Sequence, residues 1–478
     1  MKNSPAAFDN RAEEKKVLLD QSFRDSVATI NKEGKRNFLH PKKPKGRLYG
    51  WRSLASVVYL VVFFTLPFIK SGGQPLFLFN IAERKFILFG QIFWPQDFFI
   101  FAIGLLAFIV FVILFTVVFG RVWCGWACPQ TVFMEMVFRK IEYWIDGDSS
   151  QQKRLKAMPW NAYKIKKRTL KIAVFFALSF LIANFALAYL VSMDQVLRMI
   201  HDGIGAHKGT FASLVGFTAV FFAVFYWFRE QACIVVCPYG RLQGVLLDKK
   251  SIVVAYDYVR GEPRGKVKKA SLENPLGDCV DCSACVSVCP TGIDIRNGTQ
   301  LECVNCTACI DACDAIMEKL NRGTGLIRYD SEENIAQAKK STFNWRLAGY
   351  SSVLVLLLGF LCFLLVSRND VDALVLRTPG QIFQTLPDGR ISNLYSIKVT
   401  NKIRKEIPLT LKLENVKGEI ALIGQKLLVP GESYFQTGFF VQIDRQHIVR
   451  RKTQLVIGIY ENGRRIETAK AMFLGPGY

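Results

Sequence analysis

The sequence predicts a multidomain membrane protein with a five-helix α transmembrane domain, a cysteine-rich α+β insert and a C-terminal β-sandwich. Three observations predict this architecture. Five apolar stretches are long enough to cross a bilayer, eight of the thirteen cysteines fall in one short segment, and the residues after 370 alternate between apolar and polar side chains. Of the 478 residues 51% are hydrophobic, a share typical of chains with membrane-spanning segments.

The chain opens with a polar segment, residues 1–50, that is rich in Lys, Arg, Asn and Glu. No secretory signal begins in it, because the first apolar run starts only at Trp51. Five apolar runs follow, each close to the roughly 20 residues that a helix needs to cross the hydrocarbon core. They are Trp51–Ile69, Phe98–Gly120, Leu170–Val191, Phe211–Phe228 and Leu347–Val366. The first four spans fall in residues 51–245 and the fifth in residues 345–368.

The loops between the spans differ in their basic content, which determines the orientation of the chain. Lys and Arg number 13 in residues 1–52, 3 in residues 70–96, 10 in residues 121–169 and 2 in residues 192–210. This alternation predicts a multi-pass protein of the bacterial inner membrane, with the N-terminus and the insert in the cytoplasm and the C-terminal part in the periplasm. Leu76–Phe89 is too short to cross and is predicted to form a hairpin or an interfacial segment.

The formal net charge of +23 can indicate a nucleic acid or an anionic membrane surface as a partner. The basic residues crowd beside the apolar spans and form no stripe on a soluble recognition fold. We therefore expect contact with membrane lipid and no nucleic-acid binding. Arg121 and Arg139 follow the second span and Arg241 follows the fourth, and we expect their side chains to extend to the lipid headgroups.

Two cysteine runs with the same spacing lie in residues 246–340. Both read C-x2-C-x2-C-x3-C: the first run comprises Cys279, Cys282, Cys285 and Cys289, and the second comprises Cys303, Cys306, Cys309 and Cys313. The doubled spacing is typical of chains that hold two [4Fe-4S] clusters, in which the last cysteine of each run serves the other cluster. We assign Cys279, Cys282, Cys285 and Cys313 to cluster 1, and Cys303, Cys306, Cys309 and Cys289 to cluster 2.

Zinc and disulfides are the alternatives for these cysteines. Zinc ribbons use pairs of cysteines rather than triplets, and disulfides need an oxidising compartment that the predicted orientation does not supply. The first run ends in Cys289-Pro290, as in bacterial ferredoxins, whereas the second ends in Cys313-Asp314, which removes a turn constraint but no ligand. The segment resembles a bacterial two-[4Fe-4S] ferredoxin, an α+β fold.

Four further cysteines form two C-x3-C-P motifs. Cys124 and Cys128 form the first thiol motif, after the second span, and Cys233 and Cys237 form the second thiol motif, after the fourth span. Residues four apart share a helix face, and proline disfavours helix at the residue before it, so each pair is predicted to flank a helix end. Soft thiolates favour Cu(I), iron–sulfur or zinc. Because the motif recurs at equivalent places, we favour a metal or redox role over packing.

Three other sulfur-containing side chains are interpreted as packing residues. Met134 and Met136 follow the first thiol motif and could add thioether ligands, but plain packing accounts for them. Cys362 is alone in the fifth span.

In residues 370–478, Ile397 and Val399 alternate with polar neighbours, and Asn462-Gly463 is a hairpin signal, so we predict an immunoglobulin-like β-sandwich.

This order of features resembles the CcoG family of cytochrome c oxidase accessory proteins, also called FixG or RdxA. The resemblance covers nearly the full chain. It is carried by GRVWCGWACPQTVF (Gly120–Phe133), by CIVVCPYGRLQG (Cys233–Gly244) and by the doubled cysteine run. The doubled run alone is shared with many proteins, but its combination with both membrane motifs is specific.

The resemblance implies a membrane-bound iron–sulfur electron-transfer protein that reduces Cu(II) to Cu(I) during assembly of a cbb3-type cytochrome c oxidase. It implies that Cys124, Cys128, Cys233 and Cys237 are the copper-binding or copper-reducing thiols. The implied partners are oxidase assembly factors, a copper transporter or chaperone, and a cytoplasmic electron donor that the sequence does not name. A homodimer is compatible with the sequence.

Two other functions remain open from the residues alone, which show only a membrane-bound electron carrier. One is a quinone-linked electron-transfer subunit that serves a periplasmic reductase. The other is a non-enzymatic scaffold for oxidase assembly. The four thiols of the two motifs could hold copper, a further cluster or no metal.

Overall fold

The computed structural model describes residues 29–30, 33, 35–81, 85–94, 97–203, 205–266, 276–337, 345–369, 371–380, 382–403, 405–424, 427–448 and 451–476. Residues 1–28 of the basic N-terminal segment and residues 338–340 at the end of the predicted insert lie outside this set. The chain divides into two compact units, Met1–Leu361 and Cys362–Tyr478, each with its own hydrophobic core.

The helices are numbered in chain order. They are α1 Arg47–Thr65, α2 Phe98–Phe119, α3 Val122–Trp126, α4 Pro129–Thr131, α5 Arg139–Ile145, α6 Ser149–Ala157, α7 Ala162–Val191, α8 Met193–Asp202, α9 Lys208–Ala223, α10 Pro238–Leu246, α11 Tyr258–Gly261, α12 Ala284–Ser287, α13 Ala308–Lys319, α14 Glu332–Gln337 and α15 Trp345–Val366. Three π-helical segments, Val132–Phe138, Val224–Phe228 and Ala232–Val236, continue or precede these helices around the thiol motifs.

Among the described residues five helices are long and apolar enough to cross a membrane, as the sequence predicts. They are Arg47–Phe68, Phe98–Phe119, Ala162–Val191, Lys208–Phe228 and Leu347–Val366. The third begins well before its apolar run, because the side chain of Asn161 accepts a hydrogen bond from the Lys164 backbone N–H and caps the helix there. The basic residues that follow therefore belong to the same helix.

The short segment between the first two spans is a small β-structure, in agreement with the predicted hairpin. Strands β1 (Lys70–Ser71) and β2 (Gln74–Pro75) pair with each other, and β3 (Phe77–Asn80), β4 (Lys85–Leu88) and β5 (Gln91–Phe93) form an antiparallel sheet. Buried Leu78, Ile87 and Ile92 give that sheet a core of its own.

The insert is built on one antiparallel strand pair, β6 (Val253–Tyr256) with β7 (Ile327–Asp330). Helices α12 and α13 each begin two residues after the second cysteine of a run, Cys282 and Cys306 respectively. Both helices pack on the strand pair β6–β7. The core joins the strands to cysteines of both runs, with Cys279 and Cys285 buried against Met317 and Ile327. The cysteines therefore line the inside of the fold.

The second unit is an antiparallel β-sandwich, as predicted. Its strands are β8 Val371–Arg377, β9 Gln384–Thr385, β10 Ile391–Asn401, β11 Ile407–Leu413, β12 Glu419–Leu422, β13 Leu427–Val429, β14 Tyr434–Ile443, β15 Lys452–Glu461 and β16 Arg464–Leu474. One sheet has the order β12-β14-β10-β8, with β9 on β10, and the other has the order β13-β11-β15-β16. Ile397 and Val399 face the core, and Asn462 and Gly463, both with positive φ, form the β15–β16 turn.

Candidate redox site

The two cysteine runs of the insert adopt the same backbone conformation. Asp281 and Ser283 have positive φ in the first run, and Asn305 and Thr307 have positive φ at the equivalent places in the second. These residues flank the second cysteine of each run. Left-handed residues on both sides of a cysteine turn the chain tightly, so that three thiols of one run point into one space.

Each run contributes its last cysteine to the cavity of the other. One cavity is lined by the thiols of Cys279, Cys282, Cys285 and Cys313. The second cavity is lined by the thiols of Cys289, Cys303, Cys306 and Cys309, with Cys285 at its edge. This crossed arrangement has the form that the C-x2-C-x2-C-x3-C spacing predicts.

The donor set fits two iron–sulfur clusters. Among the described residues no three His, Cys, Asp or Glu side chains converge closely enough to hold a single metal ion. Four thiols that surround a cavity without converging suit a cubane, in which each iron takes one thiolate, better than a mononuclear zinc site. Burial raises the pKa of Cys285, Cys303 and Cys313 to about 12. These thiols therefore ionise at neutral pH only when a metal replaces the proton.

The two thiol motifs are structural repeats of each other. Gly120, four residues before Cys124, has φ 56° and ψ −128°, and Arg229, four residues before Cys233, has φ 52° and ψ −124°. Each break ends a spanning helix and redirects the chain into the motif. Cys128 and Cys237 are extended because a proline follows each of them, and that proline begins the next helix.

Each motif supplies a polar partner for the first cysteine of the other. Gln243, after the second motif, accepts a hydrogen bond from the Cys124 thiol at 3.1 Å and another from Arg121 Nε at 3.0 Å. Thr131, after the first motif, lies against Cys233 and lowers its pKa, although burial and the nearby thiols of the other motif cysteines raise that pKa to about 12. The structure therefore brings the four membrane-side thiols near one another, although within the described part of the chain no three of them converge on a single metal position.

The first thiol motif packs directly against the second cysteine run. A Cβ atom on Gly125 would stand 2.4 Å from the carbonyl oxygen of Val304 and 2.8 Å from that of Asn305, so only glycine permits this approach. Cys124 packs with Val304 and Cys306 in one buried group. The first thiol motif therefore adjoins the loop that lines the second cavity. Cys282 of the first cavity, in contrast, is exposed.

A network of buried charged side chains lies beside the two thiol motifs. Glu142 accepts hydrogen bonds from Arg229 Nη1 at 3.3 Å and from Lys171 Nζ at 2.5 Å, and Lys171 also bonds to Asp146. Arg139, 2% exposed, pairs with Glu135 at 3.0 Å and with Glu230 at 3.3 Å. These ion pairs join helix α5 to the third span through Lys171 and to the end of the fourth span through Arg229 and Glu230.

The expectation that these arginines extend to lipid headgroups is wrong for Arg121 and Arg139, and the side chain of Arg241 lies outside the described set. Arg121 is 4% exposed and donates to Gln243, and Arg139 is enclosed by carboxylates. The spacing of Glu135 and Arg139, four residues apart on a helix, is a signal for this pair that the sequence already contained. Their partners Gln243 and Glu230 come from distant parts of the chain, which no local pattern indicates.

The insert supplies a cap for the first spanning helix. Helix α1 is preceded by Gly46, which has no side chain to cap it. Asp311 of α13 instead accepts hydrogen bonds from the backbone N–H groups of Leu48 at 3.1 Å and Tyr49 at 2.8 Å. A carboxylate at a helix N-terminus satisfies free N–H groups and the positive end of the helix dipole. Asp311 therefore links the insert to the membrane domain.

Replacement of Asp311 by alanine is expected to lower the free energy of unfolding by about 1–2 kcal/mol, the usual contribution of a helix cap. Denaturant titration of the full-length protein in detergent, followed by helical circular dichroism, measures this change. Glu318→Ala on the exposed side of the same helix is the matched control, because Glu318 lies outside the cap. Equal midpoints for the two variants would show that Asp311 contributes no cap.

Family profiles match all three parts of the chain. A profile described as "4Fe-4S dicluster domain" matches residues 228–332, and one described as "4Fe-4S binding domain" matches residues 101–147. A third, described as "IG-like fold at C-terminal of FixG, putative oxidoreductase", matches residues 361–476. With the five spanning helices and the crossed cysteine cavities, these matches define a membrane-bound iron–sulfur redox protein with two 4Fe-4S clusters.

Curated relatives place this redox protein in a particular family. "Nitrogen fixation protein FixG" of Rhizobium meliloti is 35% identical over 422 residues, which cover 80% of each chain. "Protein RdxB" and "Protein RdxA" of Cereibacter sphaeroides are 35% identical over 408 residues and 36% identical over 400 residues; these cover 80% of this chain, and 84% and 83% of theirs. The chain belongs to the FixG/RdxA family.

Proposed function

We propose that this protein reduces Cu(II) to Cu(I) and supplies the reduced ion for assembly of a cbb3-type cytochrome c oxidase. The observation that carries the proposal is the meeting of the two thiol motifs beside the insert: Cys124 packs with Val304 and Cys306, and Cys128, Cys233 and Cys237 lie near Cys124. A thiol site favours Cu(I) over Cu(II), which helps reduction of a copper ion held there. Copper is the substrate in this proposal.

The ligand roles follow from the cavities. Cys279, Cys282, Cys285 and Cys313 would hold cluster 1, and Cys303, Cys306, Cys309 and Cys289 would hold cluster 2. Bound clusters supply one-electron carriers with potentials that the surrounding protein adjusts. The chain positions Cys124 through its hydrogen bond to Gln243, and Thr131 lies beside Cys233.

The sidedness and partners belong to the same proposal. The Lys and Arg excess in residues 1–52 and 121–169 supports a cytoplasmic insert and a periplasmic sandwich in a bacterial inner membrane. The exposed Cys282 makes cluster 1 the natural point of contact for a cytoplasmic electron donor. A copper transporter or chaperone would exchange copper with the four motif cysteines, and oxidase assembly factors would receive the reduced copper ion. A homodimer is compatible with this scheme.

Replacement of the four motif cysteines by serine is expected to abolish stoichiometric copper reduction without loss of iron. The full-length protein is purified anaerobically in detergent, reduced with dithionite and freed of excess reductant. Cu(II) is added, and Cu(I) is followed with a specific chelator beside bleaching of cluster absorbance. Serine lacks the soft sulfur that Cu(I) prefers, so the variant should keep reduced clusters in the presence of Cu(II).

The control for this experiment is Cys362→Ser, which changes a thiol of α15 that belongs to neither motif and that is exposed, so its interpretation as a packing residue is wrong. It should reduce copper like the unchanged protein. If the four-serine variant reduces copper as fast as the control, the motif thiols are not the site of reduction. Quinone chemistry or a scaffolding role then becomes the better account.

A quinone-linked role has one observation in its favour. A largely apolar cavity of about 610 Å³ lies among the spans, lined by residues that include Phe68, Phe185, Leu214 and His207. One of its lining residues, Phe68, is at the end of span Arg47–Phe68 opposite to Leu48, which contacts the insert. At 1.5 Å per residue the two ends are about 30 Å apart, so a quinol there lies far from the cysteine cavities. Copper reduction is therefore preferred.

A further inference from the structure

A second, much smaller cavity lies where the two thiol motifs meet the insert. Its volume is about 20 Å³. A cavity of roughly 10–15 Å³ already holds one water molecule, so this one has room for a single small occupant. Cys233, Met134 and Glu230 line one side, and Thr291 and Val304 of the insert line the other. Thr291 contacts Cys289, since its hydroxyl lies 3.3 Å from that thiol.

Several polar atoms around this cavity lack a hydrogen-bond partner within the described part of the chain. The Glu230 side chain is 3% exposed; its Oε2 pairs with Arg139, whereas its Oε1 has no hydrogen bond. Arg36 Nη2 stands 3.8 Å from Oε1, beyond hydrogen-bond distance. Thr131 Oγ1 and Gln130 Nε2, which also line the cavity, are likewise without hydrogen bonds. Buried polar atoms are almost always satisfied, so these atoms indicate an occupant.

The chemistry of the lining favours a soft cation. Cys233 offers a thiol, Met134 a thioether and Glu230 a carboxylate oxygen. Two sulfur donors suit Cu(I), and an oxygen donor lets the same site accept Cu(II). Among the charged lining residues, Glu135 and Glu230 are acidic and Arg229 alone is basic. Each of these charged side chains already has a partner, since Glu135 and Glu230 pair with Arg139 and Arg229 bonds to Glu142, so the sulfur donors carry the preference for a soft cation.

We propose that this cavity binds one copper ion through Cys233 Sγ, Met134 Sδ and Glu230 Oε1. The inference rests on the proposed copper chemistry and adds ligands outside the two thiol motifs. It gives the two thiol motifs different roles. Cys124, held by Gln243, faces the loop of the insert, whereas Cys233 belongs to the copper cavity.

Met134→Leu is expected to weaken Cu(I) binding by about tenfold or more through loss of the thioether donor. Cu(I) affinity is measured anaerobically on the full-length protein by competition with a Cu(I)-specific chelator. Met136→Leu is the matched control. Met136 is buried two residues further along, receives a hydrogen bond from Ser53 at 3.9 Å and does not line the cavity. Both changes nearly conserve volume, so both proteins should fold and keep their iron.

X-ray absorption at the copper edge tests the site without any substitution. The unchanged protein loaded with Cu(I) should show two sulfur neighbours and one oxygen neighbour, and Met134→Leu should show one sulfur fewer. An unchanged affinity and an unchanged sulfur count in Met134→Leu would overturn the inference and leave a water molecule as the occupant.

The experiments distinguish failure of the proposed function from failure of the ligand set inferred here. If the unchanged protein forms no Cu(I) from Cu(II), the proposed function fails. If it forms Cu(I), and the four-serine variant does not, but Met134→Leu binds Cu(I) like Met136→Leu, only the ligand set inferred here is wrong.

Discussion

Cys313→Ser is expected to remove the cluster of the first cysteine run and to leave that of the second run in place. Cys313 stands in the second run of the sequence, yet it lines the cavity formed by Cys279, Cys282 and Cys285. Cys303, Cys306 and Cys309 keep Cys289 as their fourth thiol. The iron content should therefore fall by about half, because each cubane carries the same number of irons.

Iron and acid-labile sulfide analysis measures this loss, and electron paramagnetic resonance of the reduced protein identifies the remaining cluster. Cys289→Ser is the reciprocal variant and should retain the other spectrum. Cys362→Ser serves as the control and should keep full iron. Loss of the same signal from Cys313→Ser and from Cys309→Ser would contradict the crossed arrangement.

Glu142→Gln is expected to lower the free energy of unfolding by about 3–5 kcal/mol, since it leaves buried cations without their counter-charge. Glu142 is 2% exposed and bonds to both Arg229 and Lys171. Lys171 retains Asp146 at 2.9 Å, whereas Arg229 keeps only the more distant Glu230 at 3.9 Å. Arg229 also occupies a strained backbone conformation at the break before the second thiol motif. Loss of its partner should loosen that motif.

The effect of Glu142→Gln should depend on pH. Burial acts to raise the pKa of Glu142, but the charges of Arg229, Lys171 and Arg139 outweigh burial and hold that pKa well below its usual range. Above the unfolded-state pKa of about 4.3, the carboxylate is ionised and its full contribution to the free energy of unfolding is present. The contribution is lost as the pH falls through the lower folded value. The two proteins should therefore differ most near neutrality and least in strong acid.

Denaturant midpoints of the full-length protein at several pH values test this expectation. Asp194→Asn is the control, because Asp194 forms an exposed ion pair with Lys70. An exposed pair contributes about 1 kcal/mol or less, and its removal should shift the midpoint little. Equal shifts for Glu142→Gln and Asp194→Asn would mean that the buried network does not stabilise this fold.

The sequence by itself determined the features that repeat at short range. Five apolar runs predict five spans, because membrane crossing depends on length and composition. The doubled cysteine spacing predicts the crossed cavities, because three close thiols need a distant fourth. The Asn462-Gly463 turn and the alternation around Ile397 predict the sandwich, because side chains alternate along a strand.

Only the tertiary structure decided which parts of the chain meet. Arg121 and Arg139 are polar residues beside a span, and nothing local distinguishes contact with lipid from burial against Gln243 or Glu230. Asp311 caps a helix that begins more than two hundred residues earlier. Met134 packs in a hydrophobic core, as the sequence predicts, and only the folded chain shows that Cys233 and Glu230 line a small cavity beside it. The reason is physical: periodicity records which face of an element is apolar, whereas a site made of distant side chains exists only once the elements have packed together.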